Sequence, residues 1–232
     1  DVCSSDLGQL TGKYVVLTTL PVSITTSVAT AIVPNIAASF VLNNKKDVVN
    51  KINTALRITM ILAIPAAVGI GVLGPQILLM LFPSYPDGGN LLFVGSISII
   101  FLALAQIITG ILQGIGKVKI PAIAAFCGAI IKVLLNYFLI SNPKINILGA
   151  VISTIACYMI ASIIDWYFMQ REIKTVPDFF GALIKPLIAS VFMGFFCFCI
   201  YHFIFLFIKS NAIALILSIL SGVFIYFIFL AL

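Results

Sequence analysis

Seven long runs of apolar residues follow one another along the chain, separated only by short polar segments. They fall at about 14–40, 55–81, 90–112, 120–140, 147–169, 184–207 and from 212 onward. Each is long enough to cross a hydrocarbon core, which takes roughly 20 apolar residues of helix. Only helices satisfy their own backbone in lipid without closing into a barrel. Uninterrupted runs of this length also exclude the alternation of barrel strands. The pattern predicts an all-α polytopic membrane helix bundle of about seven transmembrane helices. The separators carry turn chemistry: Pro83-Ser84-Tyr85-Pro86-Asp87-Gly88-Gly89 after the second run, Ser141-Asn142-Pro143 after the fourth, and Pro177 and Pro186 bracketing the start of the sixth. Connections this short predict that consecutive helices are antiparallel neighbours.

Polar positions inside the runs carry the functional signal, because polar side chains are costly in hydrocarbon. The first helix places Thr19, Ser23, Thr26 and Thr30 at helical spacing on one face. The third does so with Ser98, Gln106, Thr109 and Gln113, and the fifth with Thr154, Tyr158, Ser162 and Asp165. The fourth carries Lys132 and Asn136 one turn apart. Such stripes either join helices through hydrogen bonds of about 1 kcal/mol or less or line a hydrated cavity. Four of them, with two glutamines and a lysine, favour the cavity. Asp165, beside Trp166 and Tyr167, reads as a solvated carboxylate in an interfacial aromatic belt. His202 reads as interfacial too. The sixth and seventh helices are dominated by Phe, Ile and Leu and lack a polar stripe, so they are expected to face lipid.

Composition narrows the class. Hydrophobic residues make up 62% and charged residues 9%, against roughly a quarter charged in a soluble domain. The net charge of +6 does not indicate nucleic acid, since the basic residues are scattered through short loops; it sets topology. Lys45, Lys46, Lys51 and Arg57, then Lys117 and Lys119, then Arg171, Lys174 and Lys185 fall on one side, and Lys13, Lys144 and Lys209 on the other. The richer side is expected to be cytoplasmic, with the first helix starting outside and the C-terminus inside. The cysteines Cys127, Cys157, Cys197 and Cys199 have no ligand spacing and read as small buried hydrophobes. No cofactor, metal or catalytic group is implied, and short loops without paired carboxylates do not suit a membrane glycosyltransferase.

Prolines and glycines form a second pattern. Pro21 and Pro34 in the first helix, and Pro65 and Pro75 in the second, each remove a backbone hydrogen bond and mark hinge candidates. Gly110 and Gly114 allow close helix approach. The opening Asp1-Val2-Cys3-Ser4-Ser5-Asp6-Leu7 resembles a translated sequencing adapter, and the chain stops within an apolar run. The expectation is an artefactual start on a piece of a longer protein.

Several segments resemble a known family. Leu20-Pro21-Val22 with Ala31-Ile32-Val33-Pro34, and Ile64-Pro65-Ala66-Ala67-Val68-Gly69, are similar to helices opening the second half of bacterial polysaccharide and lipid-linked oligosaccharide flippases. Gly110-Ile111-Leu112-Gln113-Gly114-Ile115-Gly116-Lys117, Gly128-Ala129-Ile130-Ile131-Lys132, Asn136-Tyr137 and Asn146-Ile147-Leu148-Gly149-Ala150 resemble the stage V sporulation protein B branch. That branch shares its superfamily with the lipid II flippase and the multidrug-and-toxin extrusion antiporters. The resemblance implies the second lobe of a two-lobed flippase plus two extra C-terminal helices, the eighth to fourteenth of fourteen. Residues 1–9 are then a non-native or disordered start, 10–175 the five-helix lobe, and 176–232 the two Phe-rich helices.

The implied function is export of an undecaprenyl-pyrophosphate-linked saccharide across the bacterial plasma membrane by alternating access. Lys132, Asn136, Gln106, Gln113, Ser23, Thr26, Thr30 and Tyr158 are the expected substrate-cavity residues, with Lys132 the cation for phosphate. The expected partners are the lipid-linked substrate, membrane lipids and the missing N-terminal lobe. Cation-coupled drug efflux is the alternative; it wants an intramembrane carboxylate, which this reading does not find deep in the bilayer.

Overall fold

A computed structural model describes residues 8–83, 87–141, 147–174 and 177–231. The unusual first seven residues, Cys3 and Lys144 lie outside the described residues. A π-helical turn, Gln9–Tyr14, leads into α1 (Val15–Val41). Then come α2 (Lys45–Leu81), α3 (Gly89–Gly114), α4 (Lys119–Ile140), α5 (Ile147–Ile173), α6 (Phe179–Ile208) and α7 (Asn211–Ala231). All seven are long and apolar enough to cross a membrane. The chain is an all-α polytopic membrane bundle, and no strand occurs among the described residues.

Two helices start earlier than hydropathy suggests. α2 begins at Lys45 rather than near 55: its first turns are charged on one face and bury Val48, Ile52, Ala55 and Leu56 on the other. The Asn44 side chain caps it by accepting from the Asp47 N–H at 3.3 Å. Lys51 bridges to Asp47 at 2.8 Å and donates to Ser39 Oγ at 2.6 Å, tying the end of α1 to the start of α2. α6 begins at Phe179, capped by Asp178, which accepts from the Gly181 N–H at 3.0 Å. Pro186 therefore lies inside α6 instead of bracketing its start.

α3 is the central helix and packs against α1, α2 and α5. Its close approach to α1 uses Gly114, where an added Cβ would stand 2.6 Å from Val33 Cγ1. α4 packs along α5 and barely meets α3. Its contact face is Pro121, Ala124 and Gly128; a Cβ on Gly128 would come 2.9 Å from the Cys157 carbonyl oxygen. α6 docks on α2, and α7 on α6. The expectation of neighbouring consecutive helices thus holds for α1–α2, α2–α3, α4–α5 and α6–α7 but not for α3–α4. Between α5 and α6 contact is confined to the ends, where Trp166 and Phe179 meet at 5.2 Å. The reason is that α3 spends its faces on α1, α2 and α5, leaving α4 only α5.

The buried core at the lysine-rich end joins Ile52, Leu56, Ile108, Ile111, Met169 and Ile173 from α2, α3 and α5. α6 buries Cys197 and Tyr201 inwardly, and α7 buries Leu215 and Tyr226. They expose Phe195, Phe203, Phe207, Phe224 and Phe227 outwardly, the distribution expected of helices bathed in lipid. Cys199 is exposed, which corrects its reading as a buried hydrophobe; two residues from Cys197, it points to the opposite side.

Candidate functional site

Because α1 and α5 both pack on α3 but not on one another, a cleft opens above α3 between them. Its volume is about 590 Å³. α1 contributes Thr26 and Thr30; α3 contributes Gln106, Thr109 and Gln113; α5 contributes Tyr158 and Asp165; the start of α4 contributes Pro121 and Ala125. Gln106 and Gln113 stand two turns apart, about 10 Å along α3. Both are exposed, and neither amide bonds to another described residue.

The hydroxyls behave differently from the amides. Thr26 donates to the Ser23 carbonyl at 2.9 Å and Thr30 to the Ser27 carbonyl at 3.0 Å, so each satisfies its proton on its own helix and keeps lone pairs for a partner. Other members of the stripes join helices instead: Ser98 bonds Tyr14 Oη at 2.9 Å, and Ser162, between Tyr158 and Asp165 on α5, donates to the Phe101 carbonyl at 3.1 Å. One line of polar residues on α3 and α5 therefore serves both packing and the cleft lining.

Five of the eight expected cavity residues, Thr26, Thr30, Gln106, Gln113 and Tyr158, line this cleft together. Ser23 does not: it is exposed one turn away and donates to the Leu20 carbonyl at 2.7 Å. Asn136 is drawn into the α4–α5 contact, where it accepts from Ser153 Oγ. Lys132 is half-buried on α4, outside the lining, and within electrostatic reach of Cys157, which does line the cleft. α4 swings these two residues toward α5 because α5 is the helix it packs on.

Asp165 requires a correction. It is not a solvated interfacial carboxylate: it is 1% exposed and lines the cleft. Thr109 Oγ1 donates to its Oδ2 at 2.9 Å across the α3–α5 contact, while no described residue bonds Oδ1. It lies eight residues before the end of α5, about 12 Å along the axis. A buried carboxyl group is therefore present within the span of α5. Its spacing from Tyr158 and Ser162 put it on the polar face; the adjacent Trp166 and Tyr167 drew attention to the wrong side of the helix. Among the described residues no group of His, Cys, Asp and Glu is placed to hold a metal ion.

The family model of the lipid II flippase MurJ matches residues 14–232, nearly the whole chain. The chain belongs to the MurJ family. It is 32% identical over 174 residues to the lipid II flippase MurJ of Bacillus subtilis, covering 73% of this chain and 31% of that protein. It is 30% identical over 167 residues to the uncharacterised membrane protein YabM of the same organism, covering 72% of this chain and 30% of that one. A probable lipid II flippase MurJ of Aquifex aeolicus is 30% identical over 169 residues, 66% of this chain and 31% of its own. The chain thus spans about a third of the length of these curated relatives. A solved lipid II flippase MurJ in an inward closed conformation shares the fold, with a TM-score of 0.73 and 22% identity over 91% of this chain and 43% of that one.

Proposed function

We propose that the chain forms one lobe of a bacterial plasma-membrane flippase that exports an undecaprenyl-pyrophosphate-linked saccharide for peptidoglycan or a related envelope polymer. The observation that carries this is the cleft: amides, hydroxyls and a carboxyl group converge on one opening within helices that are otherwise apolar. A saccharide headgroup is a dense array of hydroxyl and amide groups that hydrocarbon cannot solvate. Gln106 and Gln113 offer both donors and acceptors, and Thr26, Thr30 and Tyr158 add hydroxyls. The prenyl tail needs no such lining; it stays in lipid, against the Phe-rich outer faces of α6 and α7.

One wall alone does not enclose a headgroup. We assign the opposite wall to the remaining part of the longer protein, consistent with the share of each relative that the chain covers. Pro21, Pro34, Pro65 and Pro75 lie inside continuous α1 and α2, where missing backbone bonds give the bending that alternating access requires. Lys132 remains our candidate for the phosphates, reached when α4 shifts on its single partner α5. The reading assigns transport, not catalysis. Cation-coupled efflux gains one supporting observation, the buried Asp165, but the family match points to lipid-linked substrates.

The test is headgroup translocation in liposomes by the full-length protein. Gln106→Leu/Gln113→Leu is expected to slow it about tenfold or more, as two polar partners are lost in a desolvated site, with unchanged insertion. Undiminished translocation in that variant would remove the cleft from the transport path.

A further inference from the structure

Asp165 does more than the α3–α5 contact needs. A bond from Thr109 to one carboxyl oxygen suffices to join the helices. The neighbouring Ser162–Phe101 bond joins the same pair without any ionisable group. A carboxyl group that is 1% exposed and leaves Oδ1 unbonded by any described residue is an expensive way to add a second. What distinguishes Asp165 from Ser162 is its place in the cleft lining, beside Thr109 and facing the Gln106 and Gln113 level of α3.

The chemistry of its surroundings selects the ligand. The other polar members of the lining are neutral amides, hydroxyls and the Cys157 thiol, and no basic side chain is among them. An anionic phosphate is disfavoured beside a carboxyl group. A metal cation would find a single carboxylate, and no group of His, Cys, Asp and Glu among the described residues is placed to hold one. A neutral O–H or N–H donor needs only the one free acceptor.

Taking the flippase reading as its basis, we propose that Asp165 is the acceptor that reads the sugar part of the ligand: its Oδ1, buried just beneath the cleft lining in this conformation, receives a hydroxyl or acetamido N–H of the saccharide when the headgroup parts the side chains that cover it. The pyrophosphate then lies elsewhere, on the Lys132 side: Cys157, within electrostatic reach of Lys132, is eight residues from Asp165 on α5, about 12 Å. Thr109 is the positioning residue that fixes the carboxyl orientation.

The experiment compares two probes on the whole protein in detergent micelles: undecaprenyl pyrophosphate, and the same lipid carrying an N-acetylglucosamine-containing disaccharide. Affinity is read by native mass spectrometry or fluorescence quenching. Wild type is expected to prefer the saccharide-bearing lipid. Asp165→Leu is expected to reduce affinity for that lipid about tenfold, the loss of a charge-assisted bond, and to leave bare undecaprenyl pyrophosphate unchanged. Ser162→Ala, which cuts the adjacent interhelical bond, is expected to keep the preference. Where Asp165→Leu fails to fold, the smaller Asp165→Ala, which also removes both acceptor oxygens, decides: a reduced preference supports the assignment and an unchanged one overturns it. Equal loss on both lipids, or the same selective loss in Ser162→Ala, also overturns it, since Asp165 then acts through packing or as a proton carrier. If wild type binds neither lipid, the flippase reading itself fails; if it binds both equally, only the assignment of Asp165 does.

Discussion

At the scale of single residues, two glycines set how close the helices lie. A side chain at Gly114 meets Val33 of α1, and one at Gly128 meets the backbone of α5 at Cys157. Gly114→Val and Gly128→Val are each expected to destabilise the bundle by about 1–3 kcal/mol through overpacking. Gly69→Ala, where an added Cβ touches nothing within 4 Å, is expected to be neutral or to stabilise by up to ~1 kcal/mol through helix propensity. Thermal unfolding of the three variants in detergent measures the difference. The same scale shows why the cleft was partly legible in the sequence. The spacing of Gln106, Thr109 and Gln113 fixes their common face whatever α3 packs against. Ser23 shares a face with Thr26 and Thr30 but sits too far along α1 to reach the opening. The burial of Asp165 is not legible in its neighbours Trp166 and Tyr167, which suggest an interface, because a helix turns about 100° per residue and adjacent residues report on different surroundings.

At the scale of helices, the hydrophobic runs located all seven elements, since burial in lipid demands continuous apolar length. They do not mark the first ten residues of α2, where Lys45, Lys46, Asp47 and Lys51 dilute the hydropathy. The apolar positions Val48, Ile52, Ala55 and Leu56 nevertheless recur at helical spacing, and that periodicity marked an amphipathic extension at the membrane surface. Which helices touch was not legible, because short loops constrain where a helix starts and not which neighbour it prefers. Capping offers a test at this scale. Asp178→Ala removes the acceptor for the Gly181 N–H and is expected to cost about 1 kcal/mol, read as a lower melting temperature with unchanged helix content by circular dichroism. Asp178→Ser is expected to restore most of it.

At the scale of the whole molecule, charge and cleft make separate predictions. The lysine-rich end gathers Lys45, Lys51, the Lys117–Glu172 ion pair at 2.8 Å and Lys174, so it is expected to face the cytoplasm. A green fluorescent protein fused after the chain should fluoresce in bacterial cells, and alkaline phosphatase at the same point should be inactive; the reverse pair of results contradicts the topology. The cleft prediction concerns water. In the full-length protein with its native cysteines replaced, single cysteines at Thr30 and Gln113 should react with a membrane-impermeant maleimide, and one at Phe203, an exposed apolar position of α6, should not. The most direct measurement adds substrate: the labelling rate at Gln113→Cys in membrane vesicles, with and without the saccharide-bearing undecaprenyl pyrophosphate. The account predicts ready labelling that the saccharide-bearing lipid slows severalfold and undecaprenyl phosphate does not. Absence of labelling, or labelling indifferent to the saccharide, contradicts it.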